Sequence, residues 1–177
     1  MKRRNKGFTL PEMIMNLAVL AIVAAAVGAV LIICINIFTR SALNARAAIT
    51  ADGIYELISD KLTYGRDISL SNEPSEQPSS VLRISGSDIL EGDNDRLISV
   101  FSDEFYGGFT FSVTISQDIF HDDIAEVSVQ IFNYTELICS RKGAVRMMNC
   151  DYTVFEEPIM DSLSRNIYIN YAPQEVT

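Results

Sequence analysis

Lys6-Gly7-Phe8-Thr9-Leu10-Pro11-Glu12 leads directly into MIMNLAVLAIVAAAVGAVLIICINIF, residues 13–38. The second stretch runs for 26 residues without a charged side chain. As a helix it exceeds the roughly 30 Å thickness of a bilayer's hydrocarbon core. It reads as a membrane span. A secretory signal has an apolar core of only about 7–15 residues, followed by a small-residue cleavage site. Ala45-Arg46-Ala47 fits such a site loosely. A lipoprotein reading of Leu31-Ile32-Ile33-Cys34 lacks the small residue that belongs before a modified cysteine, so Cys34 reads as a small buried hydrophobe.

Ahead of the span stand Lys2, Arg3, Arg4 and Lys6, which hold the N-terminus on the cytoplasmic side and direct the apolar run across the membrane. The whole chain carries a net charge of −9; without these four, 10 basic residues face 23 acidic ones, a balance of −13. So acidic a body repels phosphate backbones, and no basic stripe interleaved with aromatics is visible to bind nucleic acid. Glu12 is the only ionisable carboxylate placed with the span. A carboxylate near the bilayer centre costs about 2.5–3.5 kcal/mol on insertion scales, so Glu12 calls for a partner unless it sits at headgroup level as a helix-start acid.

The run Lys6-Gly7-Phe8-Thr9-Leu10-Pro11-Glu12 before an apolar helix closely resembles the class III signal of type IV prepilins and pseudopilins. The resemblance covers about 35 residues. It implies cleavage after Gly7 by a membrane-embedded prepilin peptidase, N-methylation of the new terminal Phe8, and an assembly role for Glu12 at the fifth mature position; Lys6 ends the leader. Pro11, at the fourth mature position, is a variant seen often in Gram-positive competence-type pseudopilins, and it suits a first helical turn. Cleavage frees an α-ammonium with an ordinary pKa of about 7.7–8.0, and methylation keeps its charge. In the family this amine is the partner of a neighbouring subunit's glutamate. The resemblance also implies other pilin subunits, a membrane platform and an assembly ATPase as partners. It implies residence in the cytoplasmic membrane with the N-terminus inside, then in an extracytoplasmic filament.

Beyond Phe38 the polarity changes, yet residues 39–64 contain no proline and one glycine, Gly53. Leu43, Ala47, Ile54, Ile58 and Leu62 recur at spacings of four or seven with Leu57 beside them, which predicts an amphipathic continuation of the helix. Gly65 offers its stop. Gly28, preceded by Ala24, suits close helix packing, and Asn16 and Asn36 are polar groups able to bond between helices. The chain thus divides into a leader (1–7), a transmembrane and filament-core half of the helix (8–38), an amphipathic half (39–65) and a β-rich domain (66–177).

In that domain SNEPSEQPSS, residues 71–80, reads as an exposed loop. Val81–Ile84, Leu97–Phe101, Phe109–Ile115 and Val127–Phe132 read as strands. Turn clusters at Glu91-Gly92-Asp93-Asn94-Asp95 and Tyr106-Gly107-Gly108 separate them, and residues 166–171 form a further strand or a loose end. The expected fold is α+β and pilin-like: a long N-terminal helix packed on an antiparallel sheet of about four strands. Cys139 and Cys150 lie in the exported part, where disulfides survive, and many pilins close a C-terminal loop with such a bridge; a bridge and two free thiols both remain open.

Little else suggests chemistry. His121 is the only histidine, which excludes a multi-histidine metal site, and His121-Asp122-Asp123 reads as a polar turn. Asp88, Glu91, Asp93 and Asp95 gather acidic oxygens near a glycine, and some pseudopilins hold calcium in such loops; the spacing is not that of an EF-hand, and a solvated turn is the plainer reading. Asn133-Tyr134-Thr135 fits the short glycosylation sequon. No phosphate loop, nucleophile elbow or dinucleotide fingerprint is present, so neither enzymatic activity nor a cofactor is expected. The sequence favours a structural subunit, minor pilin or pseudopilin. The alternative is an uncleaved single-pass protein displaying a sensor or adhesin domain.

Overall fold

The computed structural model describes residues 9–73, 80–93, 96–118, 120–148, 154–155, 159–162 and 166–172. Helix α1 spans Leu10–Tyr64, 55 residues, and ends where Gly65 was expected to stop it. The Gly65 N–H closes on the Lys61 carbonyl at 2.9 Å. A Cβ at Gly65 would meet that same oxygen at 2.5 Å, so the tight exit from the helix requires glycine. The chain forms two units, one up to Leu43 and the other from Asn44 onward, so α1 contributes to both.

In the first unit the helix is apolar and exposed. It is long and apolar enough to cross a membrane, and none of its most apolar stretch is buried. Leu17, Leu20, Ile22, Val30, Ile33 and Phe38 are all more than half exposed. Gly28 would meet nothing within 4 Å if it carried a Cβ, so its packing role finds no neighbour inside the chain.

In the second unit the helix buries one stripe: Ala47, Thr50, Ala51, Ile54, Ile58 and Leu62. Four of these were legible from their spacing, whereas Leu43 and Leu57 are only half-buried. Thr50 belongs to the stripe because its hydroxyl is satisfied by the carbonyls of Arg46 (3.1 Å) and Phe105 (3.2 Å).

The β region holds more than the expected single sheet of about four strands. Ten strands are described: β1 Arg66–Ser71, β2 Ser80–Ile84, β3 Ile89–Asp93, β4 Arg96–Ser99, β5 Thr110–Gln117, β6 Ile124–Asn133, β7 Glu136–Arg146, β8 Val154–Phe155, β9 Ile159–Asp161 and β10 Ile167–Ala172. They make a six-stranded sheet, order β4-β3-β2-β10-β1-β8, and a four-stranded sheet, order β7-β6-β5-β9. All pairings are antiparallel except β1 with β8. The architecture is α+β and pilin-like, with α1 packed against the sheets. The segment 166–171 resolves in favour of a strand, since β10 pairs with both β1 and β2 at the centre of the larger sheet.

The core lies between the helix stripe and the inward faces of the sheets. Strand β6 shows why the sequence folds this way: Ala125, Val127, Val129 and Ile131 alternate with polar residues, and all four are fully buried. Phe111, Val113 and Ile115 on β5, with Leu82, Ile84, Ile167 and Ile169 on the larger sheet, complete it. Between β4 and β5 the short helix α2, Asp103–Tyr106, carries Phe105 onto α1 and stacks Tyr106 on Phe111. Phe105 stacks on Phe101 at 4.0 Å and lies over Gly53, where a Cβ would come within 2.8 Å of its ring. The single glycine of the amphipathic half is therefore a notch for an aromatic ring.

Candidate functional site

The N-terminal site begins with the entry into α1. Thr9 precedes the helix, and its carbonyl accepts the N–H groups of Glu12 (3.0 Å) and Met13 (3.1 Å). In return the Thr9 N–H and hydroxyl both approach Glu12 Oε2 at 3.5 Å. Thr9-Leu10-Pro11-Glu12 is thus a Thr-x-x-Glu start, in which the glutamate of the first turn reaches back to the capping residue. Pro11 falls in the first turn, where an N–H would have no partner in the helix. Thr9 is the site residue that the sequence reading passed over, and the Thr-x-x-Glu spacing was the signal for it.

This arrangement holds the Glu12 carboxylate at the helix mouth, exposed and four residues from Phe8. Lys6, Gly7 and Phe8 lie outside the described residues, and with them the expected cleavage and methylation sites. The nearest basic residue after Glu12 in the chain is Arg40, 28 positions on. The other end of the helix is different: Lys61 Nζ meets Glu91 Oε1 at 2.5 Å, and the Tyr171 hydroxyl donates to the same oxygen. Burial raises the Glu91 pKa, but the hydrogen bonds from Lys61 and Tyr171 outweigh it and leave the carboxyl below its usual value. Burial, then the hydrogen bond to Glu91 and its charge, pushes the Tyr171 phenol up.

Of the acidic group considered for calcium, the described members Asp88, Glu91 and Asp93 form no cluster placed to hold a metal. Asp88 Oδ1 accepts from the Ile89 N–H (2.8 Å), the Ser99 hydroxyl (2.9 Å) and the Tyr106 hydroxyl (3.2 Å). Tyr106 is itself pushed up to about 12 by burial first and by Asp88 among the lesser causes. Glu91 is committed to Lys61 and Tyr171, and Glu91 and Asp93 belong to β3 rather than to the expected turn. Asp95 lies outside the described residues. Among the described residues no cluster of three or more His, Cys, Asp or Glu is placed to hold a metal. Cys139 sits half-buried on β7, opposite Ile131. Cys150 lies outside the described residues, and so does the choice between a bridge to Cys139 and two free thiols. His121 forms the expected polar turn, with its Nδ1 at 3.3 Å from Asp118 Oδ1 and its N–H at 3.0 Å from the same oxygen.

Residues 2–28 match the family model described as the prokaryotic N-terminal methylation motif. No curated protein and no solved structure matches the chain. Such a motif implies processing by a prepilin peptidase and assembly with other pilins, and the apolar helix behind it fits membrane anchoring. A type IV prepilin-like signal ahead of an α+β pilin-like architecture supports the type IV pilin-like, pseudopilin general kind.

Proposed function

We propose that the chain is a minor pilin or pseudopilin, a structural subunit of a type IV pilus, a competence pseudopilus or a type II secretion pseudopilus. The peptidase cuts between Gly7 and Phe8 on the cytoplasmic side, and Phe8 is then N-methylated. Before assembly the subunit sits in the cytoplasmic membrane with its N-terminus inside. A membrane platform and an assembly ATPase then deliver it into a filament outside. The subunit is not an enzyme; its work is mechanical. Pro11 and the strongly acidic C-terminal domain favour a minor or pseudopilin role.

The observation that carries this reading is the methylation motif running without interruption into an uncharged helical stretch, residues 13–38, whose most apolar part is not buried. The N-terminal geometry supports the part given to Glu12. Its carboxylate stands exposed at the helix mouth with no basic residue of the mature helix within reach, so the charge it needs comes from a neighbour's Phe8 ammonium. In the test, the chain is expressed with and without a cognate prepilin peptidase and its mature N-terminus is read by mass spectrometry. N-methyl-Phe8 is expected. An intact leader in the presence of active peptidase would instead favour a displayed single-pass domain.

A further inference from the structure

The β6–β7 hairpin turns through Tyr134 and Thr135, with Asn133 paired to Glu136. Tyr134 has φ 56, the left-handed region that a two-residue hairpin usually fills with Gly, Asn or Asp. A bulky residue there costs about 1–2 kcal/mol of backbone energy. The ring recovers none of that cost inside the domain, since Tyr134 is 91% exposed. Beside it, Phe132 and Leu137 are cross-strand partners on the outward face of the sheet, and Leu137 is half exposed. The tip is therefore an apolar, aromatic patch displayed at a conformational cost.

Three contacts fix where the tip points within its unit. The Met148 N–H bonds to the Thr63 carbonyl, Arg141 pairs with Asp52 at 3.3 Å, and Gly143 lies against the Tyr55 hydroxyl. Strand β7 therefore climbs in the same sense as α1, and its start, the hairpin turn, is directed towards the Asn44 end. Asn44 follows Phe38, the last residue of the uncharged run, by six residues. However the two units are arranged, that tether spans at most about 22 Å.

We propose that the Phe132–Tyr134–Leu137 tip is an interfacial anchor that docks the domain on the lipid surface before assembly. A tyrosine with flanking Phe and Leu has the amphipathic chemistry of residues that settle at headgroup level. Residues 44–177 carry nine basic against 22 acidic side chains, so electrostatics repel this domain from anionic lipid and an apolar contact must hold it there. The lipid surface is also within reach from the moment of insertion, with no other component needed. The inference rests on the reading that residues 13–38 span the bilayer.

The chain contains no tryptophan, so a single introduced indole reports its own position. Full-length Tyr134→Trp is reconstituted in zwitterionic vesicles with brominated acyl chains, beside Ile22→Trp in the span and Phe120→Trp at the β5–β6 connection. Quenching of the Tyr134→Trp variant several-fold above that of Phe120→Trp is expected, and Leu137→Trp, at a position of the same patch without a positive φ, gives the same result. Unquenched Tyr134→Trp and Leu137→Trp beside a quenched Ile22→Trp would overturn the anchor while leaving the span intact. An unquenched Ile22→Trp would overturn the span and the anchor together. Shielding of the hairpin indole in Tyr134→Trp only after other subunits are added would overturn lipid docking and assign the patch to a neighbouring subunit.

Discussion

Helix α1 is one element folded for two solvents. Up to Leu43 its apolar side chains face outward all round, whereas from Asn44 one largely apolar stripe is fully buried while Ile49 stays exposed outside it. A helix apolar on every side needs an apolar environment, and the described residues supply none for its most apolar stretch. The amphipathic half is instead satisfied inside the chain by two sheets. The difference teaches that the second half is a folding problem solved by this sequence alone, while the first half is solved only by lipid or by other subunits.

The sharpest way to break that contrast is to charge both halves alike. The span contains fourteen Leu, Ile, Val and Phe residues, worth about 0.3–0.6 kcal/mol each towards insertion, or about 4–8 kcal/mol together. Ile22→Arg with Ala26→Arg costs about 5–7 kcal/mol on the same scale, enough to cancel most of that drive. The double variant is expected to lose membrane retention, read by carbonate extraction. Ile49→Arg with Glu56→Arg changes exposed positions on the second half and should leave retention unchanged, with unfolding within about 0.5 kcal/mol of the parent.

The reverse experiment trims a buried residue. Ile58 is fully buried in the stripe, so Ile58→Ala is expected to destabilise the Asn44–Thr177 unit by about 2–5 kcal/mol in denaturant unfolding. Ile22→Ala, at a position 70% exposed, removes no packing within the chain and should leave the midpoint where it was.

How much of this was legible divides along the same line. The span shows itself as an unbroken apolar run, whereas the stripe residues Ala47, Ile54, Ile58 and Leu62 and strands β2, β5 and β6 show themselves because burial on one face writes a regular apolar period into the sequence. Strand β7 does not, because it is an edge strand whose Arg141, Lys142 and Arg146 are exposed and paired with acids on neighbouring elements. Strand β3 hides in an acidic stretch because Glu91 points at Lys61 rather than at water. Thr50 was missed for a related reason: its polarity is cancelled by carbonyls, one of them 55 residues away. At the N-terminal site Glu12 was legible from the resemblance, whereas Thr9 is defined by a local hydrogen-bond pattern.

The smallest effect separates two charges of the helix, Glu12 near its start and Lys61 near its end. Lys61 has its partner within the chain, so the pair's contribution must appear in the stability of the isolated subunit. Glu91 is held below its usual value of 4.5 in the folded state, so it binds a proton less readily there than in the unfolded chain. Its contribution is therefore present above the unfolded value and is lost as pH falls through the lowered folded one. Partly exposed pairs of this kind are worth about 0.2–1 kcal/mol. Glu91→Gln should flatten that acid limb of the stability curve by this amount in thermal melts below pH 4.5, and leave neutral-pH processing at Gly7 untouched. Glu12→Gln should do the opposite, with an unchanged melt and impaired co-assembly with other subunits, because on the proposed reading its partner belongs to a different molecule.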